Sequence, residues 1–482
     1  MRDSRSQFIS LAVFLAVVGL LLGNGFSARI FAQSPEEDIF RQIQPIGNVL
    51  DEIRTGYVHE PDIEDVVEGA IIGMMNSLDE HSSYIPKRAF ELMTEDTDGE
   101  FEGIGVTIHL NEDRLITVFQ PIAGAPAAEA GVMAGDIIAE IDGVSTKGMS
   151  LDQARDLIRG PGGTVVNLTL IRPYDEPVED EDPIIEVSIK RGTIPLWSID
   201  EARVLDGGIG YIRVSDFKKT TAQELAEKIE ELRGEGMKSL VLDLRWNPGG
   251  LLTASKEVAE LFLPQGTLVT YTRGRGGIAG PAAEEMRLRT ERSPVVPDTF
   301  PLVVLVNEHT ASSSEIVTGA LQYWSRALIV GVKTYGKGSV QTIIPLARPE
   351  GSAIRLTTAL YYTPGDVTID KQGILPDVEA PMSREEWRKL LIQMADSYRN
   401  DPDMRDRQNH GSVTGNEVTE DTVEDVQLLK AVELLKSEPV FHNLLARYHK
   451  DTNETQRAAS AETADAAAVE PFADQSSAVV PQ

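Results

Sequence analysis

The apolar positions of this chain change period several times along its length. From 34 to 95 they recur at three and four, as in RQIQPIGNVLDEI (41–53) and EDVVEGAIIGMMNSL (64–78), which predicts a helical N-terminal region. The period then falls to two. GIGVTIHL (103–110) and RLITVFQ (114–120) alternate as strands, and GDIIAEIDG (135–143) is a strand running into a turn. SLDQARDLIRG (150–160) is a helix capped by Ser150 and closed at a glycine, and TVVNLTLIR (164–172) is another strand. Together these predict a small, strand-rich domain over 96–190.

Over 191–385 strands and helices alternate. Strand IGYIRVS (209–215) leads to helix TTAQELAEKIEELRGEG (220–236), strand MKSLVLDLR (237–245) to helix LTASKEVAELFL (252–263), and strand LVVLVN (302–307) to helix SEIVTGALQYW (314–324), with strand ALIVGV (327–332) after it. Such alternation predicts an α/β unit of parallel strands joined by helical crossovers. A C-terminal helical region, 386–440, carries the run DVQLLKAVELLKSE (425–438), and 441–482 reads as a polar, Ala-rich tail with too little apolar surface to fold.

Length and charge narrow the partners. At about 150 residues per domain, 482 residues suggest about three units. A net charge of −31 argues against nucleic acid, whose phosphates need clustered Lys and Arg. Part of that charge is local, in YDEPVEDEDP (174–183) and in the tail. The chain has no cysteine, which excludes disulfides, thiolate zinc sites and a cysteine nucleophile. Arg2 and Arg5 precede an apolar run, 8–26, followed by SARIFAQ (27–33). Residues 1–33 therefore read as a secretory signal cleaved after Ala32 or as a retained membrane anchor. Either way the rest works outside the cytoplasm, as a periplasmic or an outward-facing anchored protein.

The candidate chemistry lies at two strand-to-helix turns. Ser312, Ser313 and Ser314 fall where a parallel strand ends and a helix begins, the edge at which reacting groups gather in α/β sheets. Unpaired N–H groups at the helix start suit a nucleophile beside an oxyanion site; the competing reading makes the serines N-caps, with Glu315 or Glu308 completing local hydrogen bonds. The neighbouring turn RWNPGGLL (245–252) offers the N–H of Gly249 or Gly250, which with that of Ser313 would hold an oxyanion. Its glycines can equally be meeting only a backbone requirement of the turn.

A serine nucleophile needs a base, and histidine is badly placed. His309 is locked in the same short loop, and the other histidines have no spacing that ties them to the serines. Lysine serves if its surroundings lower its pKa by about three units from about 10.4. Lys337, in TYGKGSVQT (334–342), follows the next parallel strand and returns to the same sheet edge; Lys333 is a rival nearer the strand end. Gln341 shares the side of Lys337 if that segment continues as a strand.

These residues resemble a known family. TASSSEIVTGALQ, GKGSVQ and LDLRWNPGG, with EDVVEGAIIGMMNSLDEHSSYI, GEFEGIGV, GAPAAEAGVMAGDIIAEIDG and PGDVTIDKQGILPDV in the same order, are similar to the carboxyl-terminal processing peptidases, the tail-specific serine proteases, over about 40–437. The resemblance implies a fold like the crotonase and Clp protease cores with an inserted PDZ domain at 96–190. It makes Ser312 the nucleophile, Lys337 the general base and Gln341 the residue that orients it, and it requires neither metal nor other cofactor. Gly103, Ile104, Gly105 and Val106 fall where a PDZ domain holds a terminal carboxylate, so the implied substrates are proteins or peptides with apolar C-termini. Arg159, in RDLIRGPGG (155–163), ends the helix that should flank the peptide groove: it is either a solvated arginine beside a helix C-terminus or a link from a bound tail to Gln341, and the resemblance to regulated members of the family points to the latter. Relatives also pair protomers through ends like 41–53 and 425–438. Where the family often has Gln-Asp, this chain has Gln322-Tyr323. A PDZ scaffold with an inactive core and a crotonase-like acyl-CoA enzyme remain as alternatives, the latter opposed by the secretory N-terminus.

Overall fold

A strand with no polar face must be covered on both sides, and Leu302–Val306 (LVVLV) is buried at every position. In the computed structural model, which describes residues 35–122, 124–173, 183–275, 285–400, 423–437 and 439–446, it lies inside a sheet ordered Ile199–Leu205, Ile209–Val214, Ser239–Asp243, Leu302–Val306, Leu328–Gly331, Val378–Glu379. The first two strands form an antiparallel pair and every later pairing is parallel. Alternation sends Leu240, Leu242, Leu302, Val304 and Val306 to one face, where the helices Thr221–Gly234, Leu252–Glu260 and Ser313–Tyr323 cover them. Val241, Val303, Leu305, Leu328 and Val330 go to the other, against Ala431, Leu434, Leu435 and Phe441. Each such side chain contributes about 1.5–3 kcal/mol by leaving water.

Helix Val426–Lys436 is thus part of the core, and its apolar face is taken up within the chain. The boundary expected at 440 moves too, because Phe441 is 1% exposed in that core. A second, antiparallel sheet was not anticipated from the alternation. Ser339–Pro345 pairs with Ala353–Tyr362, that strand with Leu268–Gly274, and Leu268–Gly274 with Glu285–Arg289.

The PDZ-like domain orders its strands Val106–Leu110, Ile116–Pro121, Ile137–Ile141, Val165–Ile171, Ile184–Lys190 around a core containing Ile104, Ile138, Ile141, Leu168 and Leu170. Helix Leu151–Ile158 starts on a capping box, with Ser150 Oγ accepting from Gln153 N and Gln153 Oε1 accepting from Ser150 N. Its last carbonyls are met by the buried Arg191 guanidinium, which donates to Leu157 O at 3.0 Å and Ile158 O at 2.8 Å. A two-stranded ribbon, Glu100–Gly103 with Gly192–Pro195, brings the chain in and out.

The chain divides into two compact units, the first ending at Tyr84. The first contains helices Pro35–Gly56 and Ile63–Asn76. Helix Lys87–Asp98 belongs to the second rather than to the N-terminal region, because Lys219 N donates to Thr97 O and Lys219 Nζ reaches Asp98. No helix among the described residues is long and apolar enough to cross a membrane. The expected signal or anchor at 1–33, the acidic run 174–182 and most of the expected tail lie outside the described residues.

Candidate active site

Strands Ser239–Asp243 and Leu302–Val306 are parallel neighbours, so the turns after them meet. Thr310 Oγ1 donates to Leu244 O at 2.9 Å, Ala311 N to Asn247 O at 3.0 Å, Ser314 Oγ to Asn247 O at 3.1 Å, and Trp246 N to Asn307 Oδ1 at 3.0 Å. Asn247, fully buried, fixes the glycine turn by donating to Val214 O and accepting from Gly249 N, both at 2.9 Å. Gly249 has φ +99°, and a Cβ there would fall 2.7 Å from Ser312 Cβ, so only glycine lets the two turns approach this closely.

The three serines divide by what their hydroxyls do. Ser313 Oγ donates to Gly250 O at 3.0 Å and Leu251 O at 3.1 Å, and Ser314 Oγ is spent on Asn247 O. Ser312 is half-buried, with φ 54° and ψ −118°, a positive-φ conformation rare outside glycine and characteristic of strained functional turns. The expected oxyanion donors divide as well. The Gly249 N–H already serves Asn247, whereas Gly250 N takes no part in the hydrogen bonds of the turn and Ser313 N is first in its helix, where no intrahelical partner exists.

Glu315 joins this turn to the lysine loop. Its Oε2 accepts Ser312 N and Lys337 N, both at 2.9 Å, and its Oε1 accepts Gly336 N at 2.7 Å and the Thr334 hydroxyl. Burial raises its pKa, and the four donors oppose that shift. The sequence reading gave Glu315 only as a local cap; the spacing Ser312-x-x-Glu315 is a capping-box signal, but it does not reveal that the carboxylate also reaches a loop more than twenty residues on.

Lys337 is half-buried, whereas Lys333 is exposed. Burial lowers the Lys337 pKa, the Arg355 guanidinium lowers it further, and Glu315 pulls it back up. A Cβ on Gly338 would lie 2.3 Å from Asp370 N, so the loop is held against the chain behind it. The strand begins only at Ser339, and the alternation expected to align Gln341 with Lys337 therefore does not extend back to the lysine. Gln341 Nε2 donates instead to Ser339 Oγ at 2.8 Å and weakly to Thr357 Oγ1 at 3.5 Å.

Arg159 is likewise not at Gln341. Its guanidinium pairs with Glu95 and lies over the Phe101 ring at 4.7 Å. Of the expected carboxylate loop, Gly103 belongs to the ribbon opposite Gly192, and Ile104 and Gly105 form the bend, their carbonyls accepting Ala127 N and Ile122 N. Val106 opens the edge strand of the PDZ sheet. His309 stacks on Trp246 at 3.9 Å. Tyr323 packs edge-on against Trp324, and Gln322 Nε2 donates to Leu375 O and to Asp377 Oδ1.

A buried ionic network behind the glycine turn had no signal in spacing. Arg245 donates to Asp243 and, with two bonds of 2.8 Å, to Asp425 at the start of helix Val426–Lys436; Asp243 also accepts Tyr211 Oη.

Comparison with known proteins identifies the family. The model of peptidase family S41 matches residues 208–380, and a PDZ domain model matches 117–172. A carboxy-terminal-processing protease of Bartonella bacilliformis is 38% identical over 436 residues, covering 88% of this chain and 96% of that protein. The carboxy-terminal processing protease CtpA of Bacillus subtilis is 35% identical over 82% of this chain and 80% of its own length. A carboxyl-terminal-processing protease of Synechocystis is 37% identical over 78% and 88%. The chain belongs to peptidase family S41 and is a serine-type carboxy-terminal processing protease with a PDZ domain.

Proposed function

We propose that this protease cleaves peptide bonds with a Ser312–Lys337 dyad and selects its substrates, outside the cytoplasm, by apolar C-terminal tails that enter the PDZ domain. The observation that carries the reading is the Glu315 carboxylate, which takes the N–H groups of Ser312 and Lys337 on one oxygen while burial and Arg355 make the Lys337 amine less basic. Neutral Lys337 Nζ takes the Ser312 Oγ proton as Oγ bonds the scissile carbonyl carbon. The resulting oxyanion lies between the N–H groups of Gly250 and Ser313. The ammonium returns the proton to the leaving nitrogen as the C–N bond breaks, and water, deprotonated by the same amine, releases the acyl group.

The tail adds as a strand along Val106–Leu110, an edge strand, with its carboxylate at the bend of Ile104 and Gly105. Arg159, held by Glu95 and Phe101, and Gln341, held by Ser339 and Thr357, then describe a resting enzyme. A bound tail frees Arg159 to fix Gln341 against Lys337. The apolar run behind Arg2 and Arg5 supports work outside the cytoplasm, and parallel strands with helical crossovers support a crotonase-like core.

Cleavage of a tail-bearing reporter tests the reading. Ser312→Ala and Lys337→Ala should each lose at least about 10³-fold in kcat/KM while circular dichroism and tail-peptide affinity stay unchanged. Substantial turnover by the Lys337→Ala protein refutes it.

A further inference from the structure

Strand Ala353–Tyr362 supplies one more group to the site. Tyr361 is 2% exposed, and its N–H donates to Gly338 O at 2.9 Å, so its backbone is tied to the residue after Lys337. Its hydroxyl oxygen is fully buried and makes no hydrogen bond with any described residue. A buried phenol without a partner forfeits about 1–3 kcal/mol, a cost that a core position would avoid with phenylalanine. The Ser312 side chain and the Glu315 carboxylate both lie close enough to act on this phenol, although the pair with Ser312 falls outside hydrogen-bonding geometry. Burial, then Glu315, holds its pKa well above the usual value, so it keeps its proton and has it available to donate.

We propose that Tyr361 is a further catalytic residue, whose hydroxyl donates a hydrogen bond to Ser312 Oγ as that oxygen gives its proton to Lys337. The inference rests on Ser312 being the nucleophile. The Ser312 O–H bond breaks, an N–H bond forms on Lys337, Oγ bonds the carbonyl carbon, and the phenol proton stays on Tyr361 throughout. The donor unused in the resting arrangement is then used where negative charge develops, the condition under which a hydrogen bond accelerates a reaction.

Tyr361→Phe removes that oxygen alone. The rate of covalent labelling by a fluorophosphonate should fall about 10- to 100-fold, the loss of one hydrogen bond to a developing charge, and kcat on a tail-bearing reporter should fall with it. KM and Tm should hold or Tm rise, because no ground-state hydrogen bond is removed; a merely structural tyrosine would lower Tm and leave the kcat to KM split alone. Wild-type labelling by Tyr361→Phe, with labelling abolished in Ser312→Ala, overturns the role of the phenol only. Labelling that survives Ser312→Ala overturns the nucleophile and the phenol together. If Tyr361→Phe does not fold, the crystal structure of the labelled wild type decides: Tyr361 Oη within about 3.2 Å of Ser312 Oγ supports the proposal, and a longer separation overturns it.

Discussion

Replacing Glu315 with glutamine tests the joint between the serine turn and the lysine loop. The side chain keeps its shape but exchanges one acceptor oxygen for an NH₂ group. The least costly orientation leaves the remaining oxygen on Ser312 N and Lys337 N and turns the amide nitrogen toward Thr334 and Gly336. The threonine hydroxyl can rotate to accept, but Gly336 N–H cannot, and one buried donor is left facing another. That costs about 1–3 kcal/mol, so the urea midpoint should fall by that amount divided by an unchanged m-value. The charge change acts separately on Lys337. Glu315 is the influence that raises the lysine pKa, so removing its charge leaves burial and Arg355 unopposed, and the pKa falls further. Under the proposed mechanism Lys337 must be neutral in the free enzyme, so the acidic limb of kcat/KM against pH should move to lower pH. An unmoved midpoint together with a limb that stays fixed or moves to higher pH would refute both steps.

Two further perturbations read neighbouring parts of the same framework. Arg355→Gln removes the cation that lowers the Lys337 pKa, so the acidic limb should move to higher pH, opposite in sign to Glu315→Gln; a shift in the same direction would show that the limb does not report Lys337. Asp425→Ala takes from buried Arg245 one of its two carboxylates and from Leu428 N its N-cap acceptor, and denaturation should show a loss of about 2–4 kcal/mol; less than about 1 kcal/mol would mean that the network is energetically loose.

How much of this was legible in the sequence depended on the range of the physics involved. LVVLVN and LVLDL read as parallel strands, and they proved to be buried on both faces; the strand-helix alternation placed the turns after Val306 and Asp243 on one edge, which is where they meet. The antiparallel sheet was harder. AIRLTTALYY mixes threonine and arginine with apolar residues because much of it is only half-buried, and its partner Leu268–Gly274 is remote in sequence. Parity arguments failed for Gln341 because they hold only inside a strand, and Lys337 precedes it. Boundaries were misplaced where tertiary packing overrides composition, as with Phe441, whose burial extends the fold beyond a tail that reads as polar. Arg245 and Asp425 are separated by 180 residues, and no local pattern announces such a pair.

Under the proposed mechanism, lysine as base would set a demand that accounts for these neighbours occurring together. Two loops from different strand ends must be held in register, and a single carboxylate accepting N–H groups from both does this economically in hydrogen bonds. Its charge then works against the chemistry by stabilising lysine in the ammonium form. Burial opposes that, and Arg355 opposes it further from a strand that also carries Tyr361. Under the proposed mechanism the antiparallel sheet is therefore part of the catalytic apparatus: it supplies the cation that offsets Glu315 and the phenol that faces Ser312. Disturbing the pairing of Ser339–Pro345 with Ala353–Tyr362 should consequently move the pH limb and the acylation rate together, since both influences are carried on one strand.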